Sequence, residues 1–513
     1  MLRSSILCFA LLLQAPSGVV GADYDADDLP IDFSVYTTGT LARNITSSDT
    51  TDFAAFQREN AESHVPGYGE AGRLAQYAVD GRGTYWISNS DSALSTVAFD
   101  PYKWVHVKYP WDATVIYLTR KSHVSFLMMY HDEDDDVRDV PYLVNRIEKS
   151  SCLTDKVKLQ DTLSTYTIEG RGKGTLFQTP SVVLRSLKEC KNFLDSWGPV
   201  ERARTWVHKL AAESQGNGIA FFPPGSEEPP CSDASDYSDG IVMQAHIDYP
   251  LVLSGKKSEI RAYWVIVSVE PLIVILYNRG QVRLATHDYV PPHNSSLEHW
   301  DNPLVHILNT RQQKNANPDY KKTSDERKRA WDALPQELRA QGRIPADMTD
   351  DQWINQALLP VINSTVYSLA RAAQPILQSS SANHLGSANR RFELFGLDVI
   401  FEDVAWRDAI GVENNLGDGG SMVEPGGIKA WVTEAQVGPG LSLDHPTKIE
   451  VVPPMLTEMM NVVLEVDYRR INQLPLHDIG DMLENFAVVI NDATPEWRMQ
   501  TPLEGTEGDH SEL

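Results

Sequence analysis

The sequence has few cysteines, and their spacing excludes the usual zinc motifs. There are 4 cysteines in 513 residues, and Cys8 lies in an apolar run at the N-terminus. Cys152, Cys190 and Cys231 remain, an odd number that allows at most one internal disulfide and leaves one thiol. Their wide separation fits no tetrahedral zinc site. The spacing therefore favours a buried structural thiol, with room for one bridge.

Positive charge is also scarce. The chain carries 45 Lys and Arg against 70 Asp and Glu, for a formal net charge of −25. No basic stripe is available for phosphates, so nucleic acid is not expected as a partner. A strongly acidic macromolecular substrate would need a local basic channel. The acidic run 132–136 is interpreted as a solvated loop, with a low-affinity Ca²⁺ site as the weaker alternative.

After the N-terminus no apolar run is long enough to span a bilayer. Residues 1–22, with a basic start, an apolar stretch and small residues at the end, predict a signal peptide. The last four residues, His510–Leu513, resemble an endoplasmic-reticulum retention signal. We therefore expect an endoplasmic-reticulum lumenal glycoprotein, with secretion or vacuolar delivery as alternatives. The sequons that fit this compartment begin at Asn44, Asn294 and Asn363.

The remaining pattern predicts a mixed α/β (α+β) fold, with strand-like segments preceding and following long helical ones. The predicted regions are a signal peptide at 1–22, an extended N-terminal arm at 23–75, a smaller N-terminal α/β and linking subdomain at 76–200, a main body at 201–470, and a flexible acidic tail at 494–513.

One segment could cover nucleotide phosphates. The strand 206–209 ends in Lys209, and a loop of small residues, 214–219, leads to the strand 220–222. Backbone N–H groups of such a loop can bind oxygens, and the lysine adds a point charge. A plain glycine-rich hairpin is the alternative. The run 170–174 lacks the spacing of a phosphate loop and is interpreted as a turn.

The next strands carry charges in a suggestive order. An apolar strand at 241–247 could form the wall of an adenine pocket. The segment 257–261 precedes a predicted hairpin, Ala262–Val269 and Leu272–Tyr277, and a third strand, Val282–Thr286. Alternation puts Glu259 and Arg261 on one face, near Arg283 on the third strand. These residues form a candidate anion site, with solvated strand charges as the alternative.

The C-terminal half contributes candidate metal ligands. Residues 324–344 and 350–378 are predicted to be helical, as is the stretch Pro453–Asp467. Asp398, inside the apolar strand Phe392–Ile400, would be costly to bury unless it held a metal or a cation. Glu434 and Gln436, two apart on a later strand, present oxygens of the kind that Mg²⁺ prefers. Residues 402–428 between these strands are predicted to be an inserted loop.

Taken in order, over residues 140–470, these elements resemble the tubulin-tyrosine-ligase-like family of ATP-grasp carboxylate–amine ligases. The segments that carry the resemblance are Val144–Arg146, Leu153–Lys156, Lys209 with the loop 215–218, Gln244–Ile247, Lys257–Arg261, Arg283, His306–Asn309, Phe392–Asp398 and Glu434–Gln436 ahead of Pro439.

The resemblance implies an ATP-grasp fold and an ATP- and Mg²⁺-dependent ligase that adds a free amino acid to a peptide or protein carboxylate through an acylphosphate. The residues that it implies for ATP binding are Lys209, Gln215, Gly216, Gly218, Gln244, Ile247, Lys257, Glu259 and Asn309. The implied catalytic residues are Arg261, Arg283 and Glu434, and the implied Mg²⁺ ligands are Asp398, Glu434 and Gln436.

The chain departs from the family pattern at three places. Gln436 replaces asparagine, Glu259 replaces aspartate, and the insertion 402–428 separates two metal-ligand strands. These departures leave open a catalytically impaired ATP-binding pseudoenzyme, and a phosphate-transferring ATP-grasp kinase is a further alternative. A lumenal address and an acidic chain both argue against tubulin as the acceptor. We expect a monomer that binds neither nucleic acid nor membrane.

Overall fold

The computed structural model describes short segments between residues 78 and 118 and most of the chain from 143 to 493, with gaps that include 169–176, 212–217, 292–299 and 379–389. The predicted signal peptide, N-terminal arm, acidic run 132–136, glycine-rich run 170–174 and C-terminal tail lie outside the described residues. The mixed α/β fold expected from the sequence is confirmed.

The described strands form three sheets. In chain order the strands are β1 (Ala78–Val79), β2 (Arg82–Ile87), β3 (Trp104–His106), β4 (Val115–Tyr117), β5 (Leu143–Val144), β6 (Ser181–Leu184), β7 (Trp206–Leu210), β8 (Ile219–Phe222), β9 (Ile241–Ala245), β10 (Val252–Leu253), β11 (Lys256–Val269), β12 (Leu272–Tyr277), β13 (Gln281–Leu284), β14 (Lys328–Ala330), β15 (Glu393–Asp403), β16 (Ser421–Val423), β17 (Ile428–Val437) and β18 (Phe486–Asn491).

The largest sheet has nine strands and a spine in the order β14-β13-β11-β15-β17-β16. The spine pairs are antiparallel. Strand β11 is almost continuously apolar from Ala262 to Val269 and is buried on both faces, as such a run predicts. Its first half pairs with β13 and its second half with β12, while β15 runs along its other edge. The charged start of β11 is thereby placed beside the charged middle of β15.

Two smaller sheets flank this one. The four-stranded sheet has the order β6-β9-β7-β8, and its strands are all antiparallel. The N-terminal sheet has five strands, and β2, β3, β4 and β5 pair in parallel.

The helices lie mostly between and after these strands. They are α1 (Ser151–Thr154), α2 (Lys156–Ile168), α3 (Leu187–Asp195), α4 (Pro199–Arg202), α5 (Pro303–His306), α6 (Thr310–Ala316), α7 (Ser324–Arg327), α8 (Ala333–Ala340), α9 (Asp350–Trp353), α10 (Leu359–Gln378), α11 (Val404–Ala409) and α12 (Pro446–Ile471), with a π-helical turn at Ile354–Leu358 and a 3₁₀ turn at Ile479–Met482.

Two long helical segments cover the two faces of the large sheet. Thr349 begins the first with a capping box in which its hydroxyl and the Gln352 side chain satisfy each other's backbone N–H. The apolar stripe of α10 then packs in one core with β11, β12 and β15. On the opposite face, α12 shares a second core with the N-terminal sheet. A third core joins α3 and the four-stranded sheet to Ile400 and Trp431.

Several sequence expectations for this region were wrong in part. The predicted helix 324–344 is interrupted by β14, because residues 328–330 pair with β13 and extend the sheet. The expected loop 402–428 contains α11 and β16. Helix α12 begins at Pro446, not at Pro453, and continues through Pro453 and Pro454. Strand β18 was not predicted at all.

The cysteines match the count made from the sequence. Cys190 and Cys231 form a disulfide, and Cys152 is a buried free thiol. The bridge joins α3 to the loop that follows β8, so it fastens the four-stranded sheet to its own helix. Of the sequons, only Asn363 falls within the described residues, where it lies half-buried in α10.

Candidate active site

A cleft lies between the four-stranded sheet and the large sheet. Both apolar walls and charged groups line it. The lining residues that the sequence singled out are Lys209, Gln244, Ile247, Lys257, Glu259, Arg283, Asn309, Asp398 and Glu434. Most of the predicted site residues are therefore gathered in one cavity, although they are spread over more than 200 positions of the chain.

The four-stranded sheet contributes Lys209 and Gln244. Strands β7 and β9 pair side by side, and the Lys209 ammonium donates a 2.5 Å hydrogen bond to the Gln244 side-chain oxygen. Burial lowers the pKa of Lys209 to about 8. In the loop after β7, Gln215 and Gly216 lie outside the described residues. Gly218 has φ +64°, a left-handed conformation that glycine adopts without strain, and its carbonyl accepts from Leu210 N–H.

On the opposite wall of the cleft, formed by the large sheet, Lys257 of β11 contacts two histidines. Its ammonium lies 2.9 Å from His246 Nε2 and donates to the His306 carbonyl at 3.3 Å. Burial lowers its pKa to about 8. Asn309 lines the same wall, but its side-chain oxygen accepts from Arg311 N–H and caps α6, so it also has a structural role.

The buried carboxylate of Asp398 is compensated by two arginines. The pairing of β11 with β15 places Arg261 opposite Asp398, and the guanidinium donates two hydrogen bonds to the carboxylate, at 2.5 and 2.9 Å, as a bidentate pair. Arg283 reaches the same carboxylate at 2.6 Å. Burial alone would raise the pKa of Asp398, but the two guanidiniums hold it well below its usual range. The cation that offsets the burial of Asp398 is therefore supplied by the protein.

Glu259 shares this arrangement but is compensated less fully. It faces Arg283 across the β11–β13 pair, at 2.7 Å. Burial raises its pKa to about 7, opposed by Arg283 and reinforced by Asp398. Alternation along β11 does place Glu259 and Arg261 at one site, as their spacing predicts.

Glu434 lines the carboxylate side of the cleft, and Gln436 lies two residues further along β17. Glu434 is the register partner of Asp398, and the Gln436 amide donates to both carboxylates, at 3.1 Å to Asp398 and 3.3 Å to Glu434. Burial, and then the neighbouring Asp398 carboxylate, raises the pKa of Glu434. A raised pKa in a buried carboxylate indicates a demand for a cation.

The donor set fits Mg²⁺ in the way that nucleotide enzymes use it. Within the described part of the chain, no group of three or more His, Cys, Asp or Glu side chains is arranged to hold a metal ion. Mg²⁺, however, commonly takes only one or two protein carboxylates and completes its shell with phosphate oxygens and water. Asp398 and Glu434 supply two such carboxylates. A half-turn of the Gln436 amide would present its oxygen to the same space.

The structure also reveals polar residues near the cleft that the sequence reading did not single out. His246 and Asp248 follow β9 directly, and the His246 Nδ1 lies 2.9 Å from Asp248. Beyond Arg283, the ammoniums of Lys328 and Lys448 lie 3.7 and 3.0 Å from Asp444. The four-residue spacing of Asp444 and Lys448 could have indicated a pair at the start of α12. Lys328 was hidden because its segment was assigned to a helix.

No helix in the described residues is both long and apolar enough to cross a membrane.

Comparison with known proteins gives one consistent result. Residues 138–471 match the tubulin-tyrosine ligase family. Among individual proteins, the chain is 21% identical over 387 residues to the tubulin polyglutamylase TTLL5 of Homo sapiens, an alignment that covers 74% of this chain and 26% of that protein.

Two further relatives align over shorter regions. The tubulin monoglutamylase TTLL4 of Homo sapiens is 23% identical over 280 residues, 54% of this chain and 20% of that protein. The tubulin polyglutamylase TTLL7 of Mus musculus is 29% identical over 133 residues, 25% of this chain and 14% of that protein. The chain therefore spans about a quarter or less of the length of these relatives.

Proposed function

Because the chain belongs to the tubulin-tyrosine ligase family, we propose that it is an ATP-dependent ligase that joins a free amino acid to a peptide or protein carboxylate. The observation that carries the proposal is the cleft itself. Lys209 on the four-stranded sheet and the buried Lys257 on the large sheet line the same cavity as Asp398 and Glu259, the two carboxylates that Arg283 contacts.

Membership in the family implies an ATP-grasp fold. We propose that the four-stranded sheet and the large sheet are the two lobes that hold the nucleotide, and that the N-terminal sheet is a smaller accessory α/β unit. The position of the cleft between these sheets supports this division. Gln244 and Ile247 would then lie beside the adenine.

The charged residues suit the two steps of such a ligation. In the first step a carboxylate oxygen of the acceptor attacks the γ-phosphorus of ATP, and ADP leaves. In the second step the amine attacks the acyl carbon, and inorganic phosphate leaves with the bonding electron pair. Lys209 and Lys257 would neutralise phosphate charge, and Arg261 and Arg283 would hold carboxylate and phosphate oxygens. Mg²⁺, held by Asp398, Glu434 and Gln436, would neutralise charge on the phosphates.

A second group of cations favours an acidic substrate. Lys328 pairs in register with Arg283, and Lys448 lies nearby at the start of α12. Only one carboxylate, Asp444, contacts both lysines among the described residues. Burial lowers the pKa of Lys328 to about 8, reinforced by the charge of Lys448. An anionic group bound here would relieve that repulsion. The named activities of the relatives, which are glutamylases, agree with an acidic amino acid as the donor.

One observation supports the impaired-enzyme alternative. Both oxygens of Asp398 already accept hydrogen bonds from Arg261 and Arg283, and the Gln436 amide presents its N–H₂ to the carboxylates. A Mg²⁺ ion would have to share these oxygens. If that sharing is too costly, the chain binds ATP without turning it over.

We further propose that the protein acts in the secretory pathway, on an acceptor other than tubulin. The Cys190–Cys231 disulfide supports this compartment, because such bridges persist in oxidising environments. The formal net charge of −25 supports an acceptor less acidic than a tubulin tail.

The decisive test is ATP-dependent incorporation of labelled glutamate and other amino acids into a secretory-pathway extract. Wild-type protein is compared with Glu434→Ala, and ADP release is followed in parallel. We expect incorporation by the wild type alone. Equal incorporation by both proteins would refute the ligase. ATP binding without ADP release would establish the impaired enzyme, and a stable phosphoproduct without amino-acid incorporation would establish a kinase.

A further inference from the structure

His246 and Lys257, which line the cleft, form with Asp248 a chain of three buried polar groups that the ligase roles above do not use in full. Asp248 contacts His246 Nδ1 at 2.9 Å, and His246 Nε2 contacts the Lys257 ammonium at 2.9 Å. All three side chains are at most 7% exposed. Water therefore does not compete for these contacts.

The proton positions in this chain are dictated by its two ends. An ammonium can only donate, so His246 Nε2 must accept from Lys257. A neutral imidazole has one donor and one acceptor, so Nδ1 carries the proton and donates to the Asp248 carboxylate. Burial, together with the nearby ammoniums of Lys257 and Lys209, lowers the pKa of His246 well below its ordinary value, so the ring stays neutral. One tautomer satisfies every contact.

The imidazole is itself held in place by aromatic packing. Phe221 and Trp300 meet its ring edge to face, with centroids 5.6 and 5.2 Å away. This packing restrains the orientation of the ring, and with it the direction from which Nε2 accepts the Lys257 hydrogen bond. With the His306 carbonyl as a second acceptor, two of the three ammonium N–H groups are directed at the protein. The third remains for a ligand in the cleft that Lys257 lines.

We propose that His246 and Asp248 are positioning residues that hold the Lys257 ammonium in the orientation that binds ATP phosphate. The inference rests on the proposed function, because it takes ATP as the ligand of the cleft. It differs from a purely structural role of a buried histidine in one respect. The effect of His246 on nucleotide affinity must pass through Lys257 and must vanish when Lys257 no longer carries a charge.

A double-mutant cycle on the full-length protein measures this dependence. His246→Phe removes both ring nitrogens and keeps an aromatic ring between Phe221 and Trp300. Lys257→Met removes the ammonium and keeps most of the side-chain volume. Affinity for Mg-ATP is measured by calorimetry for the wild type, each single variant and the double variant. We expect each single change to weaken binding about 10-fold, and the double variant to be no weaker than Lys257→Met alone.

Two further variants separate positioning from folding. His246→Gln can accept from Lys257 and donate to Asp248, so we expect it to recover most of the affinity lost in His246→Phe. Lys209→Met is the matched control, because Lys209 also lines the cleft but its ammonium contacts Gln244 and not His246. Its effect should add to that of His246→Phe. If His246→Phe fails to fold, as judged by its thermal midpoint, Asp248→Asn takes its place in the same cycle, because it removes the charge that orients the ring.

The outcomes distinguish this inference from the function on which it rests. Unchanged affinity in His246→Phe, or additive losses with Lys257→Met, would overturn the positioning role while leaving ATP binding intact. No ATP binding by the folded wild type would overturn the proposed function, and the positioning role with it. Non-additivity with Lys257 together with additivity with Lys209 would support the inference.

Discussion

Asp398 and Glu434 lie directly opposite each other on β15 and β17, and their pKa values are shifted in opposite directions. Two arginines contact Asp398, and they hold its pKa low against the effect of burial. Glu434 has an amide neighbour in Gln436, and burial raises its pKa. Of the two, Glu434 is therefore the carboxylate in which a bound cation would relieve the greater electrostatic cost.

Glu434→Gln should abolish metal-dependent turnover while leaving the fold intact. The change keeps the shape and removes the charge that a Mg²⁺ ion would meet. We expect the rate of ADP release to fall about 100-fold or more, since even indirect supports of a metal ligand affect metal affinity by 10- to 100-fold. Initial rates across a Mg²⁺ titration provide the measurement. Glu450→Gln, an exposed carboxylate on α12, is the control, and equal rates for both variants would contradict the assignment.

Gln436 offers a graded test of the same site. Shortening it to asparagine withdraws the amide from the Arg-bound Asp398 and leaves an oxygen ligand one methylene further back. We expect Gln436→Asn to lower the Mg²⁺ concentration needed for half-maximal rate by a few-fold, and Gln436→Leu to raise it about 10-fold. If leucine and asparagine behave alike, the amide oxygen is not a metal ligand.

Much of this site could be predicted from the sequence because its residues lie on strands with clear local signals. Apolar alternation and glycine or proline punctuation predicted the strands that carry Lys209, Arg261 and Asp398. What the sequence does not contain is the register between strands far apart in the chain. The opposition of Arg261 and Asp398, and the contact of His246 with Lys257, depend on the pairing and packing of whole sheets.

The errors have physical causes of the same kind. Residues 324–344 contain good helix formers, so propensity favoured one helix. Sheet pairing with β13 overrides that preference at Lys328, and it brings a lysine next to Arg283. The last helix was predicted over Pro453–Asp467. In the structure the first turn lies seven residues earlier, at Pro446, and the helix tolerates Pro453 and Pro454 within its length.

Asp398 should also be important for stability, with a defined pH dependence. Asp398→Asn leaves Arg261 without its charged partner in a buried site, and breaking such a pair costs about 3–5 kcal/mol. Its folded-state pKa lies below the unfolded value, so the stabilisation is present at neutral pH and is lost as the pH falls below about 4. Denaturant unfolding at pH 7 and in acid should therefore show a wild-type advantage that shrinks in acid.

The surface pair Arg185–Asp161, about half exposed on both sides, provides the control for that measurement. Asp161→Asn should change the free energy of unfolding by about 0–1 kcal/mol. If Asp398→Asn and Asp161→Asn lower the free energy of unfolding by similar amounts, burial does not determine how much breaking an ion pair destabilises this protein.

Nucleotide affinity should decline as the pH rises through about 8. Burial lowers the pKa values of Lys209 and Lys257 to about 8, so the free protein loses both ammoniums in that range. Only the charged forms attract phosphate, and affinity is therefore lost on the alkaline side. Calorimetric titration of ATP between pH 7 and about 9.5 tests this. Lys209→Arg stays charged throughout this range, so its ATP affinity should fall less with pH than that of the wild type. A wild-type affinity that does not change with pH would contradict the prediction.

The Cys190–Cys231 bridge should stabilise the lobe that carries Lys209. The bridge closes a loop of 41 residues that includes β7, β8 and the glycine-rich connection between them. Cross-linking a loop of this length removes disorder from the unfolded chain worth about 2–4 kcal/mol. The double variant Cys190→Ser, Cys231→Ser should therefore have a lower thermal midpoint. In limited proteolysis, its first cleavages should fall in this lobe. Reductant should lower the midpoint of the wild type but not that of the double variant. If reductant leaves the wild-type midpoint unchanged, the bridge contributes no stability to the folded protein.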